Sequence, residues 1–135
     1  MIVVDTSVLV DFFRGRRTTS TARLHQMEKD QIPFAIPAIC CQELLAGARD
    51  AKEWDLLLTY LETQQILLPV DPWHTHVEAA RIMVDCRAKG QTPRGAIDCL
   101  IAQLTLENDG LLLHSDQDFD RIRAVRPLRT LPMAD

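Results

Sequence analysis

Two kinds of apolar pattern run through this chain. Short unbroken runs, Ile2 to Val4 and residues 111–113, carry no polar face, as strands buried on both sides of a parallel sheet do. Residues 32–37, "IPFAIP", read as a further short strand bracketed by prolines, residues 65–70, "QILLPV", as another, and residues 127–131, "PLRTL", as an edge strand. Between these runs the apolar residues return at helical spacing. Thr6 or Ser7 caps a short helix through Val8, Leu9, Phe12 and Phe13 that ends near Gly15. Residues 16–31 make a second helix with Leu24, Met27 and His25 on its stripe, and Pro37, as a first helical residue, opens a third that runs to about Ala48. Residues 50–63 form an amphipathic helix with Trp54, Leu57, Leu58 and Leu61 on one face. Residues 73–89 form another, striped by Val77, Ala80, Met83 and Val84 and stopped by Gly90. Thr92 and Pro93 start a helix to about Asn108, and residues 116–122 make a turn or short helix.

Strands alternating with helices predict an α/β fold whose central, mostly parallel sheet is flanked by helices on both faces. The 135 residues hold no repeat and no linker and are too few for two ordinary domains, so residues 1–135 are read as a single domain.

Composition narrows the class. Hydrophobic residues at 47% and charged residues at 25% belong to a globular chain, and no apolar run is long enough to span a bilayer, so no membrane partner is expected. Met1 leads straight into the first strand with no basic region or cleavage site, so the expectation is a chain without a secretory leader, located in the cytoplasm. Cys40 and Cys41 are adjacent while Cys86 and Cys99 stand alone; no spacing suggests zinc, and all four read as small buried hydrophobes. A net charge of −4 argues against a protein that coats nucleic acid, but not against an enzyme acting on it, because acids that ligate a metal count toward that total.

Carboxylates with apolar neighbours are the anomaly. Asp98 lies in "GAIDCLIAQL" and Glu43 in "AICCQELLAG", both on helices with little polar face to spare. Such an acid needs a partner or is driven to its neutral form; Arg94, one turn before Asp98, is the simplest partner. Asp5 and Asp116 instead follow strands and emerge at the carboxyl edge of a parallel sheet, where open α/β sheets bind ligands. Taken singly, either is as well explained as a helix cap or turn former. Together, four acids on one crevice cannot all stay ionised without a cation, and oxygen-only ligation suits Mg²⁺ or Mn²⁺. Such an ion can activate water and offset charge on a phosphate with no protein nucleophile. The chain has no Gly-x-Ser-x-Gly, no Walker loop and no Gly-x-Gly-x-x-Gly.

The stretches "IVVDTSVLVDFF", "PAICCQELLAG", "RGAIDCLIAQL" and "LLLHSDQDF", in that order, resemble the PIN-domain ribonucleases, specifically the VapC-type toxins of bacterial toxin–antitoxin pairs. The resemblance covers nearly the whole chain. It implies a PIN-like fold and an acidic quartet, Asp5, Glu43, Asp98 and Asp116, that holds Mg²⁺ or Mn²⁺ for hydrolysis of RNA. It also implies a further acid near the metal at Asp118, support from Thr6 and Ser115, a homodimer with two sites along a shared groove, and silencing by a VapB-like antitoxin packed into an apolar groove, giving a toxin–antitoxin hetero-oligomer. His114 departs from the Thr common at that position.

Other features are weighed more evenly. Arg14, Arg16 and Arg17 are phosphate contacts or a solvated helix end. Arg94 faces RNA, an antitoxin carboxylate, or Asp98. Trp54, Leu57, Leu58 and Leu61 are the expected partner-binding surface. Trp73 reads as core or interface, His74 and His76 diverge on a helix and suit no metal, Asp11 reads as a solvated helix residue, and Asp120 as a turn cap. Two rival functions are a catalytically silent PIN-like binding module and a metal-dependent phosphotransfer enzyme or phosphatase of the haloacid dehalogenase kind. The latter needs a second Asp where this chain has Ser7.

Overall fold

Short runs of two or three residues, apolar in the middle of the sheet, make the strands and longer stretches make the helices of this computed structural model, which describes residues 1–131. In chain order the elements are β1 (Ile2–Val4), α1 (Thr6–Phe13), α2 (Thr19–Lys29), β2 (Ala35–Pro37), α3 (Ala38–Ala46), α4 (Ala51–Glu62), β3 (Gln65–Leu67), α5 (Pro72–Ala88), α6 (Ala96–Glu107), β4 (Leu111–Leu113), α7 (Asp118–Arg123) and β5 (Arg129–Thr130). The five strands form one parallel sheet in the order β3-β2-β1-β4-β5. The chain winds outward from β1 to β3, then crosses to the other side of β1 for β4 and β5. Helices α1 to α4 pack on one another and α5 to α7 on one another, the two layers that the right-handed crossover rule assigns to opposite faces for this strand order. The order reverses between β1 and β4, so the crevice at their carboxyl ends is the topological switch point, where such sheets bind ligands.

Val3, Val4, Ala35, Ile36, Leu112 and Leu113 of the inner strands are fully buried, as strands covered on both faces must be. Gly110 makes the β1–β4 contact possible: a Cβ there would meet the Thr105 carbonyl and Val3 Cγ2 at 3.2 Å. Gly90 ends α5 at φ +68°, and a Schellman pair, Gly90 N–H to the Arg87 carbonyl and Gln91 N–H to the Cys86 carbonyl, closes the helix as its position predicts.

Several expectations are corrected. The cap of α1 is Asp5 itself, not Thr6 or Ser7. His25 is exposed and stacks on Phe12 with ring centroids 4.5 Å apart, so it leaves the apolar stripe of α2. Pro37 closes β2 and caps α3 without entering it. In α5 the predicted stripe is largely the outer face. Val77 and Val84 are exposed, whereas Thr75, Ala79, Ile82 and Cys86 are buried, because Thr75 donates its hydroxyl to both Glu107 oxygens on α6 at 2.8 and 2.9 Å and turns that side inward. Helix α6 starts at Ala96, not at Pro93. The four cysteines are free, three of them buried. Among the described residues no helix is long and apolar enough to cross a membrane.

Candidate metal centre

Four elements deliver carboxylates to the switch point, each for a local reason. Asp5 is the residue after β1 and caps α1, with Oδ2 accepting from the Ser7 N–H at 3.0 Å and the Ser7 hydroxyl at 2.5 Å. Asp116 follows β4 by three residues, and its Oδ1 accepts from the Asp118 N–H at 2.9 Å, opening the turn into α7. Helix α3 leaves β2 with no loop between, which keeps Glu43 over the same edge. Helix α6 runs back toward the start of β4, so its first turn, with Asp98, lies at the carboxyl edge. Asp5, Glu43, Asp98 and Asp116 line one open cleft of about 410 Å³ together with Thr6, Ser7, Asp11, Arg16 and Ser115.

Side chains of opposite ends of the sequence hold this cleft in shape. The Thr6 hydroxyl donates to Glu43 Oε1 at 2.7 Å, and the Ser7 hydroxyl accepts the Ser115 N–H at 2.9 Å while donating to Asp5. Ser7 is therefore a structural hub, visible in sequence only as the polar residue two after Asp5, the spacing of an Asx turn. The His114 ring is buried against Phe119 and its Nδ1 accepts the Asp116 N–H at 3.2 Å, so a neutral imidazole fixes the backbone of that loop. Burial pushes the imidazole pKa below its ordinary value.

Burial and mutual repulsion shift the titration of these acids. Burial lifts the Asp5 carboxyl to about 6, with Glu43 and Asp116 adding repulsion against the Ser7 hydrogen bonds. Burial, then repulsion from Asp116 and a hydrogen bond to Asp118, lift Asp98 to about 8. Asp98, Asp116 and Asp118 each place one oxygen within 4.8 Å of the others. These are oxygen donors only, the set a hard divalent ion takes. Asp118 stands apart from the other two: it is buried, does not line the cleft, and lies between Arg121 and Arg94. Burial opposes its charge, but the Arg94 side-chain and backbone hydrogen bonds outweigh that and hold its pKa below the usual carboxylate value.

Other expected residues fall differently. Arg94 does not pair with Asp98, because it lies before α6; it pairs with Asp116 at 3.0 Å and Asp118 at 3.1 Å. Arg16 lines the cleft but is held by Asp11 at 2.9 Å, Arg14 lines a neighbouring groove, and Arg17 is exposed. Asp11 is thus half-buried and paired, not a solvated residue. Leu57 and Leu61 are core residues and Leu58 is half-buried, so they do not form one open face with the exposed Trp54. A groove of about 560 Å³ is lined by Leu56 and Leu57 of α4, Val10 and Phe13 of α1, and Leu44 of α3, and it meets the acidic cleft at Glu43. His74 and His76 join no metal-ligating group among the described residues.

The PIN domain family pattern matches residues 2–125. The VapC ribonuclease Mb1587 of Mycobacterium bovis and Ribonuclease VapC11 of Mycobacterium tuberculosis are each 33% identical over 135 residues, covering 96% of this chain and 96% of theirs. Among solved structures, VapBC-1 from nontypeable Haemophilus influenzae superposes with a TM-score of 0.71 at 20% identity over 98% of both chains. VapBC2 from Rickettsia felis, bound to a DNA fragment from its promoter, superposes with a TM-score of 0.71 at 17% identity over 97% of this chain and 98% of that one. At these identities the solved structures speak for the fold alone.

Proposed function

Because the chain belongs to the PIN-domain family, in its VapC branch, we propose that it is a divalent-metal-dependent endoribonuclease, the toxin of a toxin–antitoxin pair. Convergence of Asp5, Glu43, Asp98 and Asp116 from four elements on one cleft is the observation that carries this reading. Asp5, Asp98 and Asp116 are the residues that would hold Mg²⁺ or Mn²⁺. When bound, the ion would offset phosphate charge and lower the pKa of a water. Glu43, with Oε1 engaged by Thr6, keeps Oε2 to accept the proton as water attacks phosphorus, and the sugar oxygen whose bond to phosphorus breaks takes a proton from solvent as it leaves. Ser7 and Ser115 keep the two strand ends in register. Arg16 on the cleft and Arg14 beside it offset repulsion of a polyanion by an acidic site.

The groove at Glu43 suits a VapB-like antitoxin. Its lining is largely apolar, with charges of both signs, Arg14, Arg49 and Lys52 beside Asp50 and Glu53, and an occupant would reach the acidic cleft from it. A homodimer would cover the exposed apolar residues Trp73, Val77 and Val84 of α5 and Ile97 of α6. The site belongs to the cytoplasm, where RNA is the available substrate. Cleavage of an end-labelled RNA tests the reading: Mg²⁺ or Mn²⁺ should support it, and chelator or Asp98→Asn should abolish it while the circular dichroism of the chain is unchanged. Equal cleavage in every arm would rule the reading out, and the silent binding module would be favoured by no cleavage in any.

A further inference from the structure

Arg94 is tied to the cleft by three bonds and belongs to no helix. Its Nη2 donates to Asp116 Oδ1 at 3.0 Å, its Nε to Asp118 Oδ2 at 3.1 Å, and its backbone N–H to the same Asp118 oxygen at 3.2 Å. The two anchors are unlike. Asp118 is buried and also held by Arg121, so that end is fixed whether or not the Arg94 guanidinium stays. The bond to Asp116 lies at the surface: the Arg94 side chain is 77% exposed, and an exposed ion pair is worth little and is easily exchanged. Asp116 Oδ1 meanwhile also accepts the Asp118 N–H, so the carboxylate stays oriented after Arg94 leaves.

A guanidinium on Asp116 and a divalent ion on Asp116 are alternatives, since both need the same acceptor and carry the same sign of charge. We propose that Arg94 is a tethered rival of the ion, occupying Asp116 in the ion-free protein and giving it up when the ion is held. This rests on reading the cleft as a metal centre. It makes Arg94 a positioning residue with a double task. It neutralises Asp116 and keeps the acidic cluster together until the ion arrives, and its planar fork, released but still anchored through its backbone to Asp118, then stands beside the cleft to grip a phosphate.

Calorimetric titration of Mn²⁺ into the full chain, stripped with chelator, tests the proposal in wild type, Arg94→Gln, Arg94→Met and Arg94→Lys. Both neutral variants should bind Mn²⁺ about two- to fivefold more tightly than wild type, the range expected for removing one exposed ion pair from the competition, and Arg94→Lys should stay near wild type. If Arg94→Gln does not fold, Arg94→Met, close in length and equally uncharged, carries the same comparison. Neutral variants that bind Mn²⁺ as wild type does, or more weakly, overturn the proposal; weaker binding would mean that Arg94 merely orients Asp116 for the ion. Wild type that takes up no Mn²⁺ overturns the metal-centre reading and this inference with it.

Discussion

Thr6 donates its hydroxyl to Glu43 Oε1 at 2.7 Å, joining the first turn of α1 to the middle of α3 across 37 residues of sequence. The bond is made to a charged acceptor in a half-buried setting, where such bonds contribute about 1.5–3 kcal/mol. Thr6→Val keeps the shape and removes the donor. Its melting temperature should fall by several degrees, as loss of that bond requires, and where the variant is still folded its RNA cleavage should fall on the order of tenfold in kcat, while Thr6→Ser keeps most of the activity. Loss of activity in Thr6→Ser with activity retained in Thr6→Val would show that the methyl group, not the hydroxyl, matters.

Asp5 has two tasks of different weight. As N-cap of α1 it contributes about 1 kcal/mol, and its burial works against that gain. Asp5→Ala should therefore change unfolding free energy by about 1 kcal/mol or less by denaturant titration, yet reduce cleavage on the order of a hundredfold or more if an ion is lost with it. A large stability loss with proportionate activity loss would make Asp5 a structural cap only.

The raised carboxyls fix a pH dependence of the ion-free chain. Asp5 at about 6 and Asp98 at about 8 lie above the ordinary 3.8, so between those values the folded chain keeps protons that the unfolded chain has lost. Their contribution is present at low pH and is lost as pH rises through the folded values. Asp118, held low, works the other way, with its contribution lost only as pH falls below the ordinary carboxylate range. In chelator, the melting temperature of Asp98→Asn should rise relative to wild type from about pH 4 upward, with the widest gap near pH 8. A gap that does not change with pH would contradict the assignment.

Leu56 and Leu57 are neighbours with opposite environments, 61% and 3% exposed. Leu57→Ala should cost about 2–5 kcal/mol in unfolding free energy, as core truncations do. Leu56→Ala should leave stability within about 0.5 kcal/mol and weaken antitoxin binding instead, read by co-purification with the antitoxin. Intact antitoxin binding in Leu56→Ala would move the partner surface elsewhere.

Strand ends were the legible part of this sequence. Apolar runs with no polar face, Ile2–Val4 and Leu111–Leu113, suit central strands, and they are central strands in the sheet, which sets the acids after them at its carboxyl edge. Asp98 and Glu43 were legible as misfits on apolar helices. The α5 surface was not, because a buried Thr75 satisfied by Glu107 looks polar in sequence while the exposed Val77 and Val84 look like core. The Asp98 alternative for Arg94 fails for a similar reason. Helical spacing suggested Asp98, but the helix begins two residues after Arg94, and the loop carries its side chain to acids more than twenty positions away. Of the expected partner-binding residues Trp54, Leu57, Leu58 and Leu61, Leu57 lines the groove while Leu61 is covered, because periodicity reports a shared face and not which neighbour covers it.

The central claim is that Asp5, Asp98 and Asp116 hold a divalent ion with Glu43 beside it. Crystals grown with Mn²⁺ and measured for anomalous scattering test it most directly. The account predicts a peak in the cleft between Asp5, Asp98 and Asp116, with the Arg94 guanidinium withdrawn from Asp116. A peak only at other residues, or none at saturating Mn²⁺ with Arg94 still on Asp116, would contradict it.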